Sequence, residues 1–122
     1  IAVGEDEPHD PRSEKVAAMT MHASKGREFD VVFAAWVERG VLPLEVEGFV
    51  VDPEEERRLL YVALTRARRG AIVSYCARRT LFGQRLPGGP SPFLEALPGH
   101  AIARTTARPP ARGKARNQLD LF

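Results

Sequence analysis

Two short blocks bring together side chains able to meet a phosphate or a sugar. The first, Thr20-Met21-His22-Ala23-Ser24-Lys25-Gly26-Arg27-Glu28-Phe29-Asp30, brings a hydroxyl, an imidazole and an ammonium close together and follows them with a carboxylate. Hydroxyl and imidazole groups donate to phosphate oxygens. A carboxylate is an acceptor-only group suited to face a hydroxyl. Gly26 permits the tight turn between these groups. The second block, Glu54-Glu55-Glu56-Arg57-Arg58-Leu59-Leu60-Tyr61-Val62-Ala63-Leu64-Thr65-Arg66-Ala67, ends on a planar, permanently charged guanidinium. Such a group is suited to stabilising charge on a transferring phosphoryl group. Plainer readings stand beside these: loop packing for His22, solvent for Lys25, and for Arg66 a place with Arg68 and Arg69 at the negative end of a helix dipole.

The elements that must position these groups follow an α/β grammar. Val31 to Val37, β-branched and aromatic, reads as a fully buried parallel strand, and Ala71 to Cys76 has the same character. On this reading Trp36 is core and Cys76 a small buried thiol. Val16 to Thr20 is a short strand candidate. Between the two longer strands lies a helix with Asp52 as N-cap, Pro53 at its first position, Glu55 placed to close a capping box, and Gly70 as its left-handed stop. Leu59, Val62 and Ala63 form its expected apolar stripe. Arg58 stands one turn from Glu54, at ion-pair spacing.

The two blocks resemble motifs V and VI of the UvrD/Rep/PcrA-type superfamily 1 DNA helicases. Glu38-Arg39-Gly40-Val41-Leu42-Pro43 is similar to the loop after motif V, and Arg78-Arg79-Thr80-Leu81-Phe82-Gly83 through Pro92-Phe93-Leu94 to the segment after motif VI, so that roughly residues 16–98 are covered. The resemblance implies a partial RecA-like, P-loop-NTPase-type parallel sheet, and an ATP-dependent motor translocating 3′ to 5′ on single-stranded DNA. It gives Arg66 the catalytic role at the γ-phosphate of ATP, and Glu28 the nucleotide ribose, with Gly26 also at the ATP site. Thr20, His22 and Lys25 fall to the DNA track. Many relatives carry Leu where this chain has Arg27. Mg²⁺ and most of the ATP contacts belong to parts of such an enzyme outside this chain, whose remaining domains are implied partners.

Composition agrees with a piece of a longer polypeptide. A chain of 122 residues beginning with Ile can hold one domain but no whole motor. The phosphate-binding pattern G-x-x-x-x-G-K-[ST] is absent, so the chain alone is expected to be inactive. A lone cysteine excludes an internal disulfide framework, and the sequence carries no metal-ligand signature. The longest apolar run is too short to span a bilayer and no secretory signal is seen, which predicts a cytoplasmic protein without a membrane partner. The expected organisation is a flexible leading segment over 1–14, the C-terminal half of a second RecA-like domain over 15–98, and a disordered basic tail over 99–122. Net charge is only +2, yet residues 77–119 hold eight bases against the single acid Glu95. That block suits a polyanion such as DNA, or simply solubilises. The alternative to a motor part is a non-catalytic DNA- and sliding-clamp-binding adaptor, or a remnant.

The last five residues, Gln118-Leu119-Asp120-Leu121-Phe122, resemble the pentapeptide by which many bacterial replication and repair proteins dock on the sliding clamp. Gln118 offers an amide for backbone hydrogen bonds, while Leu121 and Phe122 offer an apolar plug for a preformed pocket. A peptide spanning Arg112 to Phe122 should bind the purified clamp with a Kd of about 1 μM, or about −8 kcal/mol. Replacing Leu121 and Phe122 by Ala should abolish the heat seen in titration calorimetry, and Gln118→Ala should reduce it. Silence from the unaltered peptide at high concentration would make the motif a chance terminus.

Overall fold

The computed structural model describes residues 2–3, 12 and 14–106. Strand β1 (Ala2–Val3) pairs in parallel with β2 (Ala17–Ala18), so the leading segment holds a short strand. Next come β3 (Phe29–Ala34), helix α1 (Pro53–Leu64) and β4 (Ala67–Val73), with β3 and β4 parallel. Their register runs from Phe29 opposite Ala67, past an irregularity before Val31, to Ala34 opposite Val73. A hairpin of β5 (Arg79–Leu81) and β6 (Gln84–Leu86) follows, absent from the sequence reading. Phe82 and Gly83 both take positive φ at its tip, as a two-residue hairpin turn of this hand requires.

Helix α1 starts as expected, with one difference. The Asp52 carboxylate accepts from the Glu54 amide at 3.0 Å, so the side-chain cap is local. The acid that reaches beyond the helix is Glu56, which accepts from the Leu44 amide at 2.9 Å and pins the preceding loop. Arg57, not Arg58, pairs with Glu54 at 2.6 Å. The end of the helix departs further from expectation. It stops at Leu64 with Thr65 as cap, and Gly70 lies inside β4, opposite Val31. The cause is the sheet: the Phe29 amide donates to the Arg66 carbonyl at 2.9 Å, drawing the chain into the parallel ladder immediately after the last helical turn.

One cluster holds the unit together. Leu60, fully buried, packs with Ala34, Val37 and Leu42, bordered by Met21, Leu64, Val73, Phe93 and Leu94. Of the expected stripe Ala63 is buried, but the fully buried leucine is Leu60, with Leu64 partly buried against the cluster at i+4, while Leu59 and Val62 lie outside it. Behind the core, buried Ser91 donates its hydroxyl to the Leu42 carbonyl and accepts from the Phe93 amide, capping a 3₁₀ turn over Pro92–Ala96. Gly88, at φ +75°, passes so close to the Ala77 carbonyl that a Cβ there would stand 2.0 Å from the oxygen.

The sheet is not buried on both faces as its composition predicts. Side chains alternate along a strand, and α1 covers one face only. Ala34 turns into the core, while Val31, Phe33 and Ile72 on the other face are 52–63% exposed. Among the described residues no helix is long and apolar enough to cross a membrane. The clamp-like pentapeptide, and the tail beyond residue 106, lie outside the described residues.

Assignment of the core to Leu60 is testable by urea unfolding of a longer polypeptide containing this unit. Leu60→Ala should destabilise it by about 2–5 kcal/mol, as large-to-small core changes do. Leu59→Ala should cost clearly less, and equal losses would contradict the observed helix face.

Candidate functional site

The first block folds into a 3₁₀ turn, His22–Ser24, which leads through residues 25–28 into β3. Thr20 organises the turn, since its hydroxyl oxygen accepts from the Ala23 amide at 3.1 Å. Its O–H proton is thereby left to donate outward. Ser24 is buried and donates to the Met21 carbonyl at 2.6 Å, and Met21 packs against the core. His22 and Lys25 remain on the surface. Gly26 adopts φ +78°, where a side chain would be strained although space is open around it. The chain thus reverses at Gly26 and delivers Glu28 to the start of β3.

The parallel register then joins the two blocks. Phe29 opposes Ala67, so Glu28 and Arg66 each sit one residue before a paired position on neighbouring strands. Arg66 is half-buried, and its Nε donates to the Val62 carbonyl at 3.1 Å. This bond satisfies an end carbonyl of α1, as the dipole reading expects, and it also fixes the stem of the side chain. Among the described residues neither Nη atom has a partner, which leaves the charged end able to meet a phosphoryl oxygen.

Glu28 is differently placed. Arg68 binds its Oε2 through Nε at 3.2 Å and Nη2 at 3.1 Å, and approaches Asp30 at 3.8 Å. Arg68 was expected only to complement the helix dipole; instead it lies in β4 and neutralises the carboxylate beside it. All three side chains are more than half exposed. Exposed pairs of this kind are worth little, because water screens them. A hydroxyl ligand can therefore share or replace the Arg68 contact without a large cost.

A second constellation was missed at sequence level. Glu38 is fully buried, accepts from the Cys76 amide at 2.8 Å, and takes the Nε and, at 3.5 Å, the Nη2 of Arg79. Its hydrogen bond to Arg79 raises the guanidinium pKa above the ordinary value. Arg79 also lies over the Trp36 ring at 4.4 Å and donates to the Cys76 sulfur at 3.1 Å. Trp36 is therefore not core: it follows β3 at φ +62° and is 49% exposed. Left-handed backbone costs a non-glycine residue about 1–2 kcal/mol. Nor is Cys76 buried; its thiol is at the surface. The apolar run misled because it continues past the strand end, and the signal that could have found the cluster is the lone acid closing that run. Among the described residues no group of His, Cys, Asp and Glu is arranged to hold a metal ion.

Comparison with known proteins places the chain in a family. The family model of the UvrD-like helicase C-terminal domain matches residues 1–78. The ATP-dependent DNA helicase Rep of Buchnera aphidicola subsp. Acyrthosiphon pisum (strain APS) is 45% identical over 87 residues, 71% of this chain and 14% of its own length. A probable DNA helicase II homolog of Rickettsia conorii (strain ATCC VR-613 / Malish 7) is 40% identical over 96 residues, 75% of this chain and 14% of its own. The ATP-dependent DNA helicase Rep of Escherichia coli (strain K12) is 40% identical over 85 residues, 70% of this chain and 13% of its own. The chain thus spans about one-seventh of the length of these curated relatives. With its first 78 residues matched and its α/β unit carrying both sequence blocks, the chain belongs to the UvrD-like helicase C-terminal domain family.

Proposed function

We propose that this chain is the C-terminal part of an ATP-dependent DNA helicase of the UvrD type, contributing half of its second RecA-like domain. The observation that carries the reading is the junction of the two blocks: the hydrogen bond from Phe29 to Arg66 sets Glu28 and Arg66 at the starts of the two paired strands. An exposed acceptor for a sugar hydroxyl, and a guanidinium whose Nη atoms have no partner among the described residues, fit the two ends of a nucleoside triphosphate. In this reading Arg66 stabilises charge on the γ-phosphate, Glu28 holds the ribose, and Gly26 keeps the backbone turn between the nucleotide and DNA sides. The ATP supplies the phosphoryl group, with Mg²⁺ held by residues of the polypeptide outside this chain. Thr20, His22 and Lys25, at the surface on the other side of Gly26, meet phosphates of single-stranded DNA, along which the enzyme moves 3′ to 5′ in repair or replication. The last five residues, Gln118 to Phe122, carry the sliding-clamp contact.

Turnover and binding in the complete polypeptide separate these roles. Arg66→Ala should lower DNA-stimulated ATP turnover by roughly 10³- to 10⁵-fold, the worth of an arginine finger, with single-stranded DNA affinity largely kept. Arg68→Ala should do far less, and equal small effects would refute the assignment.

Glu28→Ala should mainly raise the KM for ATP, while His22→Ala should weaken DNA binding or uncouple it from hydrolysis. Fluorescence anisotropy with labelled oligonucleotide, run beside steady-state turnover, distinguishes them. One shared phenotype would show that ribose and DNA duties are not divided at Gly26.

A further inference from the structure

Trp36 lies beyond the far end of β3 from Glu28, and the six residues of that strand span about 20 Å. Nothing in the nucleotide reading uses it. Its ring carries Arg79 on one face, and about half of the residue stays in solvent. Arg79 itself cannot swing away freely, because the buried Glu38 carboxylate holds its Nε and Nη2. The backbone at Trp36 is left-handed, a state that persists in a large residue only where surroundings impose it, and such residues gather at functional sites.

We propose that Trp36 is a stacking platform for a base of single-stranded DNA, an additional contact that rests on the DNA reading above. Three features favour a base over an apolar protein partner. The ring is held at a fixed orientation by a cation, so stacking on it loses little side-chain freedom. Arg39 and Arg78, next in sequence to Glu38 and Arg79, are exposed cations, Arg39 also approaching Glu95 at 3.9 Å. Glu38, the acid nearest in sequence, is buried and bonded to Arg79, so it presents no charge to an incoming phosphate. An aromatic face flanked by cations is the common element of sites for single strands, and it tolerates any base because every base has a π face.

The test uses the complete polypeptide with Trp36→Gly and Trp36→Phe. Glycine accepts φ +62°, so the first variant should melt at or near the wild-type temperature and still lose affinity for oligothymidylate by about 5- to 150-fold. Trp36→Phe should retain most of the affinity. An oligonucleotide with abasic sugars, carrying the same phosphates, should bind the wild type more weakly than oligothymidylate, and the difference should shrink in Trp36→Gly. The salt dependence should not change, since no phosphate contact is removed. Equal affinity of wild type and Trp36→Gly for oligothymidylate would overturn the proposal while leaving the DNA reading intact. So would a loss that is the same on the abasic strand. Failure of the wild-type polypeptide to bind any single strand would instead overturn the DNA reading, and this proposal with it.

Discussion

The buried carboxylate of Glu38 is the constraint on which the arrangement depends. A charge removed from water must be met by hydrogen bonds on the spot, because an unpaired one is strongly destabilising. Here the partners come from two places. The Cys76 amide lies just beyond β4, and Arg79 opens the hairpin. One side chain thereby ties together the exits of both central strands and the start of the next element. The apolar cluster around Leu60 supplies attraction between α1 and the sheet, but attraction of that kind is indifferent to direction. Glu38 supplies direction.

At the opposite end of the strands the forces differ in kind. Glu28, Asp30 and Arg68 form an exposed charge group held by weak pairs, whereas Arg66 is anchored through its stem to a helix carbonyl. A well-solvated carboxylate exchanges partners readily; an arginine with a fixed stem holds its position. The architecture thus combines a rigid cation with an adaptable anion, both set by the same strand register. In the remote cluster the buried Glu38 holds Arg79, which lies over the ring of the left-handed Trp36.

Sequence reasoning reached the helix start and the central strand–helix–strand order, because these rest on local signals: Asp52 and Pro53 at one end of α1, and β-branched runs on either side. It failed where a distant partner decides. Gly70 has the chemistry of a helix stop, yet the Phe29 to Arg66 bond ends the helix earlier and passes Gly70 to β4. Trp36 belongs to an apolar run, but only the position of Arg79, more than forty residues later, shows why it stands in solvent. The exposed faces of Val31, Phe33 and Ile72 were equally invisible, since hydrophobicity records what a strand can bury, not what is present to bury it. For the site, the residue types in both blocks were legible, and their approach across the ladder was not. That approach follows from a register no single block contains. The pairing of Glu28 with Arg68 had no local signal either, the two being forty positions apart.

The short passage from α1 to β4 has a mechanical meaning. Only Thr65 and Arg66 separate the last helical residue from the first strand residue, and both are hydrogen-bonded in place. A link of two residues can extend by at most about 7 Å, and here it has no slack to take up. The helix and the strand consequently behave as one lever arm. A push along the helix axis is delivered to the ladder as shear, without being dissipated in a loop.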